Sequence, residues 1–141
     1  KVLEQSKDNP VFYVQYAHAR VCSVLRKARE AGIDVDHPVL AEAAEVSHEA
    51  ERTVARKLAE WPRTVEIAAR THEPHRIAFY LHDLASALHA LWNRGNEAPE
   101  LRFLQDDAAA SQAKIALPRA VAVVISAGLG ILGVTPVKEM R

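Results

Sequence analysis

The hydrophobic positions of this chain recur at helical spacing almost from end to end. Val14, Ala17, Val21, Val24 and Ala28 follow one another at three- and four-residue steps, the period of one helix face. Asn9 before Pro10 reads as an N-cap with proline in the first turn, where its missing N–H costs nothing. Gly32 sits where such a helix would end. His37-Pro38 punctuates the chain, and Pro38 can open a short helical turn through Ala44. Ser47 can cap a helix running to about Trp61, with Glu49 and Glu51 near its positive end. Pro62 and Pro74 then delimit a helix of roughly ten residues and a longer one behind it.

In that longer helix Ile77, Leu81, Leu84, Leu88 and Leu91 form one stripe, and Gly95 is expected to close it. Residues 95–110 are polar and acidic, contain Pro99, and read as a loop. A final helical region is expected from Ser111, interrupted or kinked at Pro118 and continuing through Leu129. Val121 to Ile125 would suit a strand by propensity, but no partner run exists elsewhere in the chain. The pattern predicts an all-α bundle of about five or six helices.

Composition narrows this further. The 141 residues are 49% hydrophobic and 26% charged, which fits one domain with a real core and excludes a disordered tail. A single cysteine cannot form an internal disulfide, so a reducing compartment is expected. No uninterrupted apolar run has the length of a membrane span, and no membrane partner is expected. The chain opens on Lys1-Val2-Leu3 without an initiating Met, as a segment of something longer would.

Basic and acidic side chains balance at 18 each, but unevenly along the chain. Residues 1–29 carry six Lys/Arg against Glu4 and Asp8, and residues 108–141 carry four against Glu139. The acidic excess therefore lies in the middle, most visibly at Glu97, Glu100, Asp106 and Asp107. If the two ends fold beside each other, the domain has a basic side that attracts a polyanion. A solvated surface with accidental asymmetry fits the charge pattern as well.

The first helix carries the most suggestive chemistry. At about 100° per residue, Tyr13, Tyr16, Arg20 and Lys27 fall in one strip beside the apolar face. Aromatic planes stack unpaired bases and cations hold phosphate, so such a strip suits single-stranded RNA. Tyrosines at the core edge with their hydroxyls in water would look the same.

The letters themselves go further. Asn9-Pro10-Val11-Phe12-Tyr13-Val14-Gln15-Tyr16-Ala17-His18-Ala19-Arg20-Val21 closely resembles the segment opening the anticodon-binding domain of arginyl-tRNA synthetases, which is of the DALR type. Leu81-His82-Asp83-Leu84-Ala85-Ser86-Ala87-Leu88-His89-Ala90-Leu91-Trp92 is similar to the long helix of that family. The run from Gly128 to Met140 is similar to its C-terminus. The resemblance implies a remnant of the linker from the catalytic domain at residues 1–8, and a DALR-type anticodon-binding domain at 9–141. It implies arginine-accepting tRNA and the parent's own catalytic domain as partners, not DNA, in a cytoplasmic ligase.

Within the resemblance, Tyr16 and Arg20 match the tyrosine and arginine of the first motif, and Met140 matches a near-terminal methionine. Trp92 stands where many relatives have tyrosine, which keeps a stacking face but exchanges a hydroxyl for an indole N–H. Tyr16 and Trp92 are thus expected to receive bases, with Arg20, Met140, Tyr13 and His89 beside them. Arg141 extends past the methionine as an added cation. The class I signatures of HIGH and KMSKS type are missing from this chain. No cofactor is expected in this domain, and the resemblance assigns ATP and magnesium to the rest of the parent enzyme.

Other constellations are weaker. Seven histidines invite a metal reading, yet with Cys22 alone and no H-x-x-x-H spacing no metal site is expected. His18 at the edge of the core face suits a hydrogen bond to a backbone carbonyl. Cys22, one turn on, is expected to be buried and inert rather than a nucleophile. Glu49, Glu51, Arg52, Arg56 and Lys57 read as a solvated, charge-laced face, and Trp61 as the anchor of a helix corner. A helical protein-interaction module is the rival reading, and a small all-α enzyme using the His82/His89 face is another.

Overall fold

The computed structural model describes residues 9–36 and 45–140. It is all-α: α1 (Pro10–Glu30), α2 (Glu49–Ala59), α3 (Trp61–Thr71), α4 (His75–Glu97), a 3-10 turn at Pro99–Leu101, and α5 (Ala108–Ile131). The helical turn expected from Pro38 to Ala44, the linker remnant at 1–8 and Arg141 lie outside the described residues.

The caps explain the boundaries. Asn9 accepts from the N–H groups of Val11 (3.0 Å) and Phe12 (3.4 Å), which fixes the register of α1. α2 is capped by His48 rather than by Ser47: His48 Nδ1 accepts from the Ala50 N–H, while the Glu51 carboxylate reaches back to the His48 N–H. Pro62 does not break the chain away from Trp61; it sits in the first turn of α3, where a proline is tolerated. His72, in the left-handed region at φ 55°, ends α3. Gly95 does not close α4, which runs two residues further; its missing side chain lets the Arg102 backbone and stem pack on the helix. Residues 95–110 are thus partly helical, and Asp107 caps α5 from its side chain three residues before Ala110. α5 then passes through the fully buried Pro118 as one helix.

α4 is the centre of the bundle and packs against α1, α2, α3, α5 and the 3-10 turn. Its stripe Ile77, Leu81, Leu84, Leu88 and Leu91 is buried, as are Val14, Ala17, Val21, Val24 and Ala28 of α1. Gly128 sets the approach of α5: a Cβ there would lie 2.6 Å from Leu81 Cδ2, and Leu81 is enclosed. Trp61, at the corner of α2 and α3, lies 5.3 Å from the Tyr80 ring of α4. Tyr80 donates its hydroxyl proton to the Lys57 carbonyl at 2.5 Å, and burial pushes that hydroxyl up to about 12. α5 is long and apolar enough to cross a membrane by length and composition, but Ile115, Val121, Ile125 and Leu129 are part of the common core.

One expectation for the α2 face needs correcting. Glu49 is solvated, with Arg56 and Arg52 holding its carboxyl below the usual range. Glu51 is not: it is buried and accepts from Lys114 Nζ of α5 at 3.0 Å. The tertiary contact with α5 turns a residue of apparent surface sequence into a buried ion pair that also caps a helix.

Candidate nucleic-acid interface

Capped at Asn9, α1 presents Tyr13, Tyr16 and Arg20 to the flank it shares with α4. There the imidazoles of His82 and His89, two turns apart on α4, meet the tyrosines: Tyr13 lies 4.9 Å from each ring, and Tyr16 5.4 Å from His89. Phe12 extends the array, nearly parallel to Tyr16 at 6.4 Å. Arg20 completes it. Its Nη2 donates to the Tyr16 hydroxyl at 3.0 Å and its Nη1 to His89 Nδ1 at 3.1 Å. The guanidinium lies 4.8 Å from the Tyr16 ring centre and 4.5 Å from that of Trp92.

Two chemical consequences follow. A guanidinium only donates, so His89 Nδ1 accepts and the ring proton is on Nε2. Arg20 is also held wholly by neutral groups: among the described residues, no carboxylate pairs with it. Its positive charge faces a pocket of about 260 Å³ lined by Phe12, Tyr13, Tyr16, Arg20, His89 and Asn93. An oriented, uncompensated cation among aromatic rings suits an anion carried by a planar, electron-rich group.

Comparison with known proteins decides the family. The DALR anticodon binding domain model matches residues 14–140. The chain belongs to the DALR anticodon-binding domain family. It is 72% identical along its whole length to an arginine–tRNA ligase of Cereibacter sphaeroides, 72% to that of Ruegeria pomeroyi and 71% to that of Paracoccus denitrificans. The chain spans about a quarter of the length of these relatives (25% in each). In fold it matches a crystal structure described as that of an arginyl-tRNA synthetase from Campylobacter jejuni, with a TM-score of 0.78 over 99% of this chain and 28% of that one, at 21% identity.

In this DALR domain the residues singled out from sequence divide into two groups. Tyr13, Tyr16, Arg20, His89 and Trp92 converge in the cluster just described. Met140 follows a tail whose residues 135–139 have their contacts elsewhere on α1. The tail carrying it is tied to another flank of α1, where Gln15, His18 and Arg26 stand roughly 160–240° round the helix from Arg20. Gln15 donates to the Thr135 carbonyl (2.9 Å) and accepts from the Val137 N–H (2.8 Å). His18 Nδ1 lies 2.6 Å from the Val137 carbonyl, the bond expected of it, and Arg26 donates to the Lys138 carbonyl at 3.2 Å. Cys22 lies under this strap, 3.7 Å from His18 Nδ1, and burial pushes its thiol above the usual range, the reverse of an activated nucleophile.

Two members of the cluster escaped the sequence reading. Phe12 was within reach of it, one turn before Tyr16 on the same strip. Phe103, edge-on to Trp92 at 6.1 Å, comes from the segment after α4, and only the fold brings it there. Among the described residues no three His, Cys, Asp or Glu side chains converge on a metal position.

Proposed function

We propose that this domain grips the anticodon loop of arginine-accepting tRNA for an arginine–tRNA ligase in the cytoplasm. The rest of that parent chain activates arginine with ATP and magnesium. The observation that carries this reading is Arg20, fixed by Tyr16, His89 and Trp92 and offered to an open aromatic pocket with no carboxylate partner among the described residues. Arg20 grips a loop phosphate or presents its flat guanidinium to an unstacked base, while Tyr13 and Phe12 wall the pocket. The Tyr16 hydroxyl, which accepts from Arg20, keeps its own proton to donate to a base edge. Met140, at the end of the strap, makes a separate and smaller contact. The 72% identity to arginine–tRNA ligases supports the choice of amino acid.

The test is binding of this chain to arginine-accepting tRNA and to the same tRNA with a changed anticodon, across a salt series. Preference for the arginine anticodon and a steep fall in affinity with salt are expected. Equal binding to both overturns base readout by this surface. Binding that is insensitive to salt points instead to an apolar docking groove for another protein.

A further inference from the structure

A second pocket adjoins the first. Arg20, which lines the first, lies over Trp92, which lines the second. This second cavity, about 170 Å³, has apolar walls of Leu91, Trp92, Phe103 and Leu104, with Lys27 and Arg102 at its rim. It is smaller than the roughly 300–1,000 Å³ of sites enclosing drug-sized ligands, so it takes one planar ring system rather than a whole nucleotide. The Asn96 amide at its edge offers both a donor and acceptors to the rim of such a ring.

The charges around it are poised in the same way. Arg102, which lines this pocket, is anchored by its Nε, which donates to the Gly95 carbonyl at 2.9 Å, so its outer guanidinium nitrogens are not used by that bond. Lys27 stands seven residues after Arg20 on the same strip of α1, about 10 Å along the axis, a gap that neighbouring nucleotides of an unstacked strand can bridge. Most described Lys and Arg side chains are in ion pairs; Arg20, Lys27, Arg63, Arg102 and Lys138 are not. Three of those five border these two pockets. The nearby Glu97 carboxylate is engaged by Arg94 at 3.6 Å.

We infer that the Leu91–Trp92–Phe103–Leu104 pocket is a second nucleobase seat. It receives a base of the same loop that Arg20 and Tyr16 grip, with Lys27 and Arg102 holding the flanking phosphates. The inference rests on the anticodon reading above, and it makes Trp92 and the Arg20 stacked on it the partition between two unstacked bases.

The test pairs a pocket-filling variant, Leu104→Trp, with anticodon stem-loop RNAs that each lack one base. Binding is measured at low salt, where any basic RNA site binds, with thermal melting as a check on the fold. Leu104→Trp is expected to weaken the intact stem-loop about tenfold or more, the scale of one base–aromatic stack. One abasic RNA should lose the same factor against the unaltered chain and lose nothing further against Leu104→Trp. Losses that multiply at every abasic position overturn the seat, and so does unchanged affinity in Leu104→Trp. Lys27→Gln, an exposed substitution that leaves the core alone, should lower the slope of log affinity against log salt by about one; an unchanged slope removes Lys27 from the site. Weakening by Arg20→Ala without any by Leu104→Trp leaves the anticodon reading standing and sinks the second seat alone. No binding by the unaltered chain at low salt overturns both.

Discussion

The two flanks of α1 are built from similar material and behave in opposite ways. On one, Gln15, His18 and Arg26 are matched to carbonyls, an N–H and the Glu139 carboxylate of the tail, so the polar groups are spent within the chain. On the other, among the described residues, Tyr16 and Arg20 meet rings and neutral hydrogen-bond partners, and no carboxylate offsets the cation. The saturated flank holds the fold together; on the proposed reading the unsaturated one is kept for RNA. Each flank carries an arginine, so the presence of a cation does not make the difference. It follows from which neighbour the bundle sets against each side.

Arg20→Ala gives the largest expected effect. It should cost binding of the anticodon stem-loop roughly 100-fold, the scale of losing a charge-assisted contact, with a smaller loss of stability from the buried His89 Nδ1 that loses its donor. Gln15→Ala should do the reverse. It removes both bonds to a part-buried carbonyl and N–H of the tail, lowering stability by about 1–3 kcal/mol in denaturant unfolding at roughly 0.5–1.5 kcal/mol per bond, while RNA affinity moves far less than in Arg20→Ala. If the two variants exchange these effects, the division of the helix into a structural and a binding flank is wrong.

Cys22 sharpens the comparison from the saturated side. Burial raises its folded-state pKa above the unfolded value, so the thiol's contribution to stability is whole below about pH 8.5 and is lost as pH rises beyond it, because the unfolded chain ionises first. As the sole cysteine, it should react with an alkylating reagent more slowly than a free thiol, and Gln15→Ala should speed that reaction by loosening the strap. A rate equal to that of an unfolded chain would show the strap open in solution. Met140→Ala should have the smallest effect, weakening the stem-loop less than about threefold, since the residues just before it are held on the other flank of α1; a loss matching that of Tyr16→Ala (about 1–3 kcal/mol for a stacking face) would extend the binding surface around α1.

The periodic positions of α1 and α4 determined by themselves that this chain is a helical bundle, because a three-to-four-residue apolar repeat can be buried in only one way. Asn9-Pro10 determined where α1 begins, and with it that Tyr13, Tyr16 and Arg20 share a strip. The match of the chain to the DALR family was likewise legible in its letters, from the tyrosine motif to the near-terminal Met140. What the linear order could not hold was which side of each helix meets which. Glu51 reads as surface until α5 brings Lys114 to it, and Gly95 reads as a stop until Arg102 packs on it. Arg20 looks like any helix-edge arginine until His89 and Trp92 close over it. Burial and charge compensation are properties of neighbours from distant parts of the chain, and only their packing decides them.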